Sequence, residues 1–328
     1  MKQLLSGIRF AAIAGLAAGG CGKDPTSSVD PAEGTGVVGE SVRSNYRIRT
    51  YSLIKPATYD GTVPAPLLIL FHGAGDTGAQ FRLRTGLYGS ADTAGRAGFI
   101  LVYPDGVNGS WAVGCNCTDA DGLGIDDVRF VRTLLAQLSA GLAIDASRIY
   151  VAGYSEGAML AHRLACELSD RLAGAASVAA TMVQRVADRC GPQGAVPFVF
   201  FHGTADLLFP WDGGGGWLSV PATIGKWTAL DGCTGPPVLG MEPDRENDGT
   251  LVRTERYAAC RAGAEVMLYA VEGGGHTWPG ALGSFPAFAG VLSRDISANE
   301  ILVGFFARHA RTAIQGSRGT SGPRHLFR

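Results

Sequence analysis

Short apolar segments alternate with longer segments of helical periodicity along the middle of the chain. Residues 66–71 (PLLILF) and 99–103 (FILVY) are apolar runs bounded by turn residues, which is typical of strands buried on both faces. Similar runs predict strands at 148–152, 172–180, 197–201 and 266–271, and helical spacing predicts helices over 126–142, 155–168 and 299–310. Strands alternating with helices predict an α/β fold: a mostly parallel central sheet with helices on both faces.

The two ends of the chain differ from this pattern. Residues 1–21 carry two basic residues and a short apolar run, which predicts a signal peptide. The run ends in LAAGGC, which resembles a lipobox and predicts lipidation of Cys21; a soluble secreted protein cleaved nearby is the alternative. Residues 22–44 predict a flexible linker, 45–312 the folded domain and 313–328 a disordered tail. We therefore expect an exported protein, either extracellular or attached to the cell envelope.

Charge and cysteine content narrow the possible partners. Charged residues make up 17% of the chain and the formal net charge is −1, so nothing favours a nucleic-acid partner. Besides Cys21 there are six cysteines, an even number that predicts disulfides in an exported protein but does not determine their pairing. Cys115 and Cys117 are close in sequence, but no histidine or second cysteine pair lies near enough to complete a zinc site. We expect no metal.

A G-x-S-x-G sequence at 153–157 is the strongest chemical signal in the chain. It follows the predicted strand RIYVA and opens the predicted helix AMLAHRLACEL. This is the arrangement of a nucleophile elbow, in which a sharp turn raises the serine hydroxyl above the sheet of an α/β-hydrolase fold. We predict Ser155 as the nucleophile.

A serine nucleophile needs a base, and His276 is the best candidate. It follows the last predicted strand through a glycine-rich loop, and it comes last in the order serine, acid, histidine that is typical of this fold. His72 and His202 each follow a strand and precede a glycine. For these two we expect hydrogen bonds that hold a loop.

The acid is expected on the loop that follows the strand at 197–201. Asp206 is the predicted partner of the base, and Asp212, six residues further along, is the alternative. The oxyanion hole needs two backbone donors, one of which should be the N–H of Glu156, directly after the nucleophile. The other should lie in the loop after the strand at 66–71; we predict the N–H of Ala74, with Gly75 as the alternative.

Aromatic residues near these positions are candidates for the wall of a substrate pocket. We predict Tyr154, Trp211 and Trp278 in this role. A core tryptophan that fixes the histidine loop is an equal alternative for Trp278.

Several motifs occur in a consistent order between about Tyr46 and His309: LLILFHGAGDTGAQF, LVYPDG, DDVRFV, SRIYVAGYSEGAMLAHRLACE, FFHGTADLLFPWDGG and GGGHTWPG. This combination resembles the esterase family of polyhydroxybutyrate depolymerases, feruloyl esterases and acetylxylan esterases. The resemblance implies a triad of Ser155, Asp206 and His276, an exported enzyme without cofactors, and a disulfide between Cys233 and Cys260. Relatives often carry Asn-Gly-Gly after the nucleophile, whereas this chain has Glu156 followed by Gly and Ala.

We therefore expect a serine carboxylic-ester hydrolase. Its expected substrates are feruloyl or acetyl esters of polysaccharide, or short 3-hydroxyalkanoate esters of the polyhydroxybutyrate type. A peptidase on the same fold is a less favoured alternative. The alternative to an enzyme is a surface-anchored binding protein that keeps the fold but does not catalyse hydrolysis. The intact serine, aspartate and histidine argue against this alternative.

Overall fold

The computed structural model describes residues 37–88 and 93–311. Ten strands are found within them: β1 (Val37–Ser44), β2 (Arg47–Ile54), β3 (Ala65–Phe71), β4 (Ile100–Pro104), β5 (Ile144–Tyr154), β6 (Gly174–Val178), β7 (Phe198–Gly203), β8 (Val238–Met241), β9 (Leu251–Tyr257) and β10 (Val266–Glu272). The helices are α1 (Gly78–Thr85), α2 (Thr93–Arg96), α3 (Asp119–Gly122), α4 (Asp127–Gly141), α5 (Glu156–Glu167), α6 (Gln184–Ala187), α7 (Val220–Leu230) and α8 (Ala298–Ala307).

All ten strands form one sheet in the order β1-β2-β4-β3-β5-β6-β7-β10-β9-β8. The six strands from β4 to β10 in this order pair in parallel, and antiparallel strands extend the sheet at both ends. The strand predictions at 66–71, 99–103, 148–152, 172–180, 197–201 and 266–271 all correspond to members of this parallel centre. The predicted fold class, a mostly parallel sheet of the α/β-hydrolase type, is confirmed.

Two apolar cores lie on opposite faces of the sheet, because successive side chains of a strand point to opposite sides. In β3, Leu67 and Ile69 pack with residues of α4, α5 and α7, whereas Leu68 and Leu70 pack with residues of α1, α2 and α8. Every residue of β3 is buried, as expected of a strand covered by helices on both faces. Because β3, β5, β7 and β10 run parallel, their carboxyl ends lie along one edge of the sheet.

The predicted linker at 22–44 is wrong in its last part. Val37–Ser44 forms β1, which pairs along its whole length with β2. Its residues are mostly exposed and half of them are polar, so the composition resembles a linker; hydrogen bonding to β2 stabilises the strand. The signal peptide, Cys21, the rest of the linker and the tail at 313–328 lie outside the described residues.

Candidate active site

Ser155 lies in a strained turn between β5 and α5. Its backbone has φ 54° and ψ −121°, outside the regions that L-residues normally occupy, and its N–H donates to the carbonyl of Val178 at 2.9 Å. The flanking glycines are required by close approach: a Cβ on Gly153 would lie 2.0 Å from the carbonyl oxygen of Gly157, and a Cβ on Gly157 would lie 2.3 Å from that of Phe71. These features match the predicted nucleophile elbow.

His276 and Asp206 form a buried hydrogen-bonded pair. The Nδ1 of His276 lies 2.8 Å from Oδ2 of Asp206, while Oδ1 accepts the backbone N–H groups of Leu208 and Phe209, each at 2.9 Å. In the neutral imidazole, a hydrogen bond from Nδ1 to this carboxylate leaves the lone pair on Nε2. The alternative acid, Asp212, is exposed on the surface. The structure thus brings Asp206 against the predicted base.

His276 is held by two hydrogen bonds to its backbone and by a stacking contact with its ring. The hydroxyl of Tyr154 donates to the His276 carbonyl at 2.8 Å, the His276 N–H donates to the Ala289 carbonyl at 2.6 Å, and the ring of Phe209 stacks at 5.6 Å. Tyr154 directly precedes Ser155, so this bond ties the histidine loop to the elbow. Among the described residues the Ser155 hydroxyl has no hydrogen bond to the imidazole; such bonds are often long in enzymes without substrate.

The loop after β3 runs directly against the elbow. A Cβ placed on Gly73 would lie 3.3 Å from Cβ of Ser155, so the backbone of this loop approaches the nucleophile closely. The N–H of Gly75 donates to the carbonyl of Gly109 at 2.8 Å, whereas the N–H of Ala74 has no acceptor within the described residues. Of the two donors considered, Ala74 is therefore the one available to an oxyanion. The N–H of Glu156, at the first position of α5, is also available, because no residue lies one turn before it in the helix.

The carboxyl group of Glu156 is buried beneath the elbow. Its Oε1 accepts the backbone N–H of Trp111 and the hydroxyl of Ser110, the latter at 2.9 Å. Burial raises the pKa of Glu156 to about 7, although these two hydrogen bonds act in the opposite direction. Sequence reasoning did not identify Ser110 and Trp111, because their contact with residue 156 depends on tertiary folding across 45 residues or more.

Comparisons with known proteins identify the family of the chain. The family described as Esterase PHB depolymerase matches residues 50–188. The chain is 32% identical over 258 residues to "Putative esterase NocK" of Nocardia uniformis subsp. tsuyamanensis, covering 73% of each chain. The chain belongs to the esterase PHB depolymerase family. It is a carboxylic ester hydrolase that resembles feruloyl and acetylxylan esterases.

Two further proteins resemble the esterase, one in sequence and one in fold. The chain is 30% identical over 236 residues to feruloyl esterase B of Piromyces equi. The aligned region covers 67% of this chain but only 41% of that enzyme's length. The solved structure of the acetyl xylan esterase from Aspergillus awamori aligns with a TM-score of 0.53 over 81% of this chain and 99% of that one, at 14% identity. This second likeness shows the fold.

His72 and His202 of the esterase hold loops through hydrogen bonds, as predicted. His72 contacts the Gly73 carbonyl through Nδ1 at 2.7 Å and accepts the Gly106 N–H at Nε2, at 2.9 Å. His202 contacts the Phe209 carbonyl through Nε2 at 2.8 Å. Burial lowers the pKa of both rings, because it disfavours the charged form.

The pocket predictions for the esterase need correction. Trp278 is fully buried, donates its indole N–H to Asn299 at 2.9 Å and packs edge-on against Phe81. It is a core residue that fixes the segment after His276, not a pocket wall. Tyr154 is also almost buried, with its hydroxyl committed to the histidine loop. Trp211 is partly exposed, and its pocket role stays a prediction.

Disulfides join the six cysteines of the described chain in three pairs. Cys233 is bonded to Cys260, as the family resemblance implied, and the other pairs are Cys166–Cys190 and Cys115–Cys117. The sulfur atoms of Cys115 and Cys117 lie near the carboxylate of Asp121, but they are bonded to each other and are not free thiolates. None of the helices in the described ranges is both long and apolar enough to cross a membrane.

Proposed function

We propose that Ser155, His276 and Asp206 hydrolyse carboxylic esters through an acyl-enzyme. The observation that supports this most directly is the 2.8 Å bond between His276 and Asp206, on a loop tied to the strained elbow of Ser155. The three residues follow β5, β7 and β10, strands that end at the same edge of the sheet.

The proposed reaction has two symmetrical halves. His276 Nε2 takes the proton from the Ser155 hydroxyl as the oxygen attacks the ester carbonyl carbon, and the Asp206 carboxylate stabilises the imidazolium that forms. The ester C–O bond then breaks, and the leaving alkoxide takes the proton from Nε2. Water attacks the acyl-enzyme in the same way, which releases the acid and restores the serine. The N–H groups of Ala74 and Glu156 bind the negative oxygen in both halves. The reaction needs no cofactor.

Feruloyl or acetyl esters of polysaccharide, and short 3-hydroxyalkanoate esters, are the proposed substrates. The support is the match to the Esterase PHB depolymerase family and to feruloyl esterase B of Piromyces equi. We propose that the enzyme acts outside the cytoplasm; the support is the signal-like start of the chain and the three disulfides, which persist in oxidising compartments.

The catalytic assignment is tested by comparing wild type with Ser155→Ala on 4-nitrophenyl acetate, methyl ferulate, acetylated xylan and 3-hydroxybutyrate oligomers. We expect kcat to fall by about 10³-fold or more in the variant. Ser41→Ala, at an exposed serine of β1, is the matched control and should retain full activity. Hydrolysis that survives in Ser155→Ala would disprove the assignment, and the ranking of kcat/KM among the four esters identifies the substrate class.

Attachment to the envelope is tested separately with Cys21→Ser. In a bacterial host fed a labelled fatty acid, we expect label in the wild-type protein and none in the variant. An unlabelled wild-type protein that is released into the medium would instead support the soluble, secreted form.

A further inference from the structure

One short segment, residues 109–111, contacts both parts of the chain that carry the proposed oxyanion donors. On the side of β3, the Gly109 carbonyl accepts the N–H of Gly75 at 2.8 Å, and the indole N–H of Trp111 donates to the His72 carbonyl at 2.9 Å. These two bonds flank Ala74 on either side. They fix the peptide group between Gly73 and Ala74, and the N–H of Ala74 is left available to an oxyanion.

The same segment is attached to the elbow. The backbone N–H of Trp111 and the hydroxyl of Ser110 both donate to the buried carboxyl of Glu156, the residue whose own N–H is the second donor. Ser110 also accepts the N–H of Ala120 at 3.2 Å, which holds the segment against α3. Trp111 is fully buried, with its ring edge-on to Phe71 at 5.2 Å.

We infer that Trp111 and Glu156 are positioning residues that set the distance between the two oxyanion donors, Ala74 N–H and Glu156 N–H. We call residues 109–111, together with the Glu156 carboxyl, the oxyanion brace. The two donors are 82 positions apart in sequence and belong to different loops, and the brace connects those loops through hydrogen bonds. This inference rests on the proposed function, since it concerns the stabilisation of the oxyanion formed on Ser155.

Chemistry explains why a carboxyl group suits this place. Two donors converge on one oxygen atom, and a carboxyl oxygen has two lone pairs with which it can accept both. A small displacement of a catalytic donor lowers the rate steeply, because the oxyanion must lie within hydrogen-bonding distance of both N–H groups at once.

The test uses Trp111→Phe, which removes the indole donor but keeps an aromatic ring, and Glu156→Leu, which removes the acceptor. We expect kcat per active site to fall by about 10- to 100-fold in each variant, with KM changed by less than about threefold. Glu156→Gln retains a side-chain oxygen acceptor and should recover most of the kcat lost in Glu156→Leu. Because both residues act through one structure, the double variant should lose less than the product of the two single effects.

Two measurements separate positioning from a general loss of structure. The concentration of active sites is measured from the initial burst of 4-nitrophenol released from 4-nitrophenyl acetate. Unfolded molecules are then left out of the calculated kcat. Phenylboronic acid forms a tetrahedral adduct on a catalytic serine, whereas benzoate is planar; we expect phenylboronic acid to bind more weakly in proportion to the loss of kcat/KM, and benzoate to bind as in wild type.

Trp227→Phe is the matched control. Trp227 is also fully buried and donates its indole N–H to a buried acceptor, His162 Nδ1 at 3.0 Å, but it lies on α7 away from the brace. It should lower thermal stability and leave kcat per active site unchanged.

The outcomes distinguish the brace from the reaction itself. If Ser155→Ala retains activity, the proposed function fails and the brace fails with it. If Ser155 is required but both brace variants keep wild-type kcat and affinity for phenylboronic acid, only the brace is wrong. If Trp111→Phe does not fold, the comparison of Glu156→Leu with Glu156→Gln decides the question on its own.

Discussion

Replacing Glu156 with glutamine should change how stability depends on pH. Glu156 is 8% exposed, and burial raises the pKa of its carboxyl group from 4.5 to about 7 in the folded protein. The folded state therefore holds this proton more tightly than the unfolded state does. Below pH 4.5 the group is protonated in both states and has no such effect. As the pH rises from 4.5 to 7, ionisation destabilises the folded state, and the full effect is present above pH 7.

The size of the effect follows from the two pKa values. Each tenfold difference in ionisation constant corresponds to about 1.4 kcal/mol, so the ionised Glu156 lowers the free energy of unfolding by about 3 kcal/mol above pH 7. Glutamine has nearly the same shape, keeps an oxygen acceptor and does not ionise. We therefore expect Glu156→Gln to match wild type near pH 4.5 and to be more stable by about 3 kcal/mol at pH 8, which is roughly 6–10 °C in melting temperature.

Urea unfolding of both proteins between pH 4.5 and 8, with the disulfides intact, measures this difference. Other buried acids are present in both proteins, so their contributions to the difference in unfolding free energy cancel. One of them is Asp231, whose pKa is also raised to about 7 by burial. A difference in unfolding free energy that does not vary with pH would refute the reasoning. So would a glutamine variant that is less stable than wild type at pH 8, because the carboxylate would then be stabilising.

Three further changes have defined outcomes. Asp206→Asn should lower kcat by about 10³- to 10⁴-fold in steady-state assays, since the proposed base would lose its orienting carboxylate, whereas Asp212→Asn, at an exposed position, should leave kcat unchanged. Gly157→Ala should prevent accumulation of folded protein, visible as loss of soluble expression, because the new Cβ would lie 2.3 Å from a backbone oxygen of β3; a soluble, active variant would contradict this. Replacing both Cys233 and Cys260 with serine should lower the free energy of unfolding by about 3–4 kcal/mol, because the disulfide closes a loop across 27 positions and so restricts the unfolded chain. A change below about 1 kcal/mol in urea unfolding would contradict this loop-closure explanation.

The parallel centre of the sheet was predictable because its strands are covered on both faces. Burial on both sides requires continuous apolar runs, and β3 and β4 are buried at every position. The antiparallel ends were not predicted. All four residues of β8 are exposed, and β1 is mostly exposed, so neither has a clear apolar pattern. Their strand structure depends on hydrogen bonds to a neighbouring strand, which a local pattern does not reveal.

In the candidate site, too, residues with local requirements could be predicted, whereas residues that depend on distant neighbours could not. Ser155 is recognisable because its turn imposes local requirements, a strand before it, a helix after it and glycines on both sides. For Trp278 the sequence left pocket wall and core residue as equal alternatives, because its surroundings include Asn299, which lies 21 positions away along the chain. Sequence shows that an aromatic residue follows the histidine. Whether that residue faces inward or outward depends on α8.

The order of the strands in the sheet has a consequence for the timing of synthesis. Within residues 37–88 and 93–311, β10 is the last strand made, yet it is inserted between β7 and β9 rather than added at an edge. A nascent or truncated chain that ends before β10 contains the serine and the aspartate but lacks the histidine and leaves β7 without its neighbour. On the proposed mechanism such a chain lacks its base, so we expect ester cleavage only once the C-terminal part has been made and has closed the sheet. For an enzyme that we propose to act outside the cytoplasm, late completion would protect cellular esters while the protein is still being made.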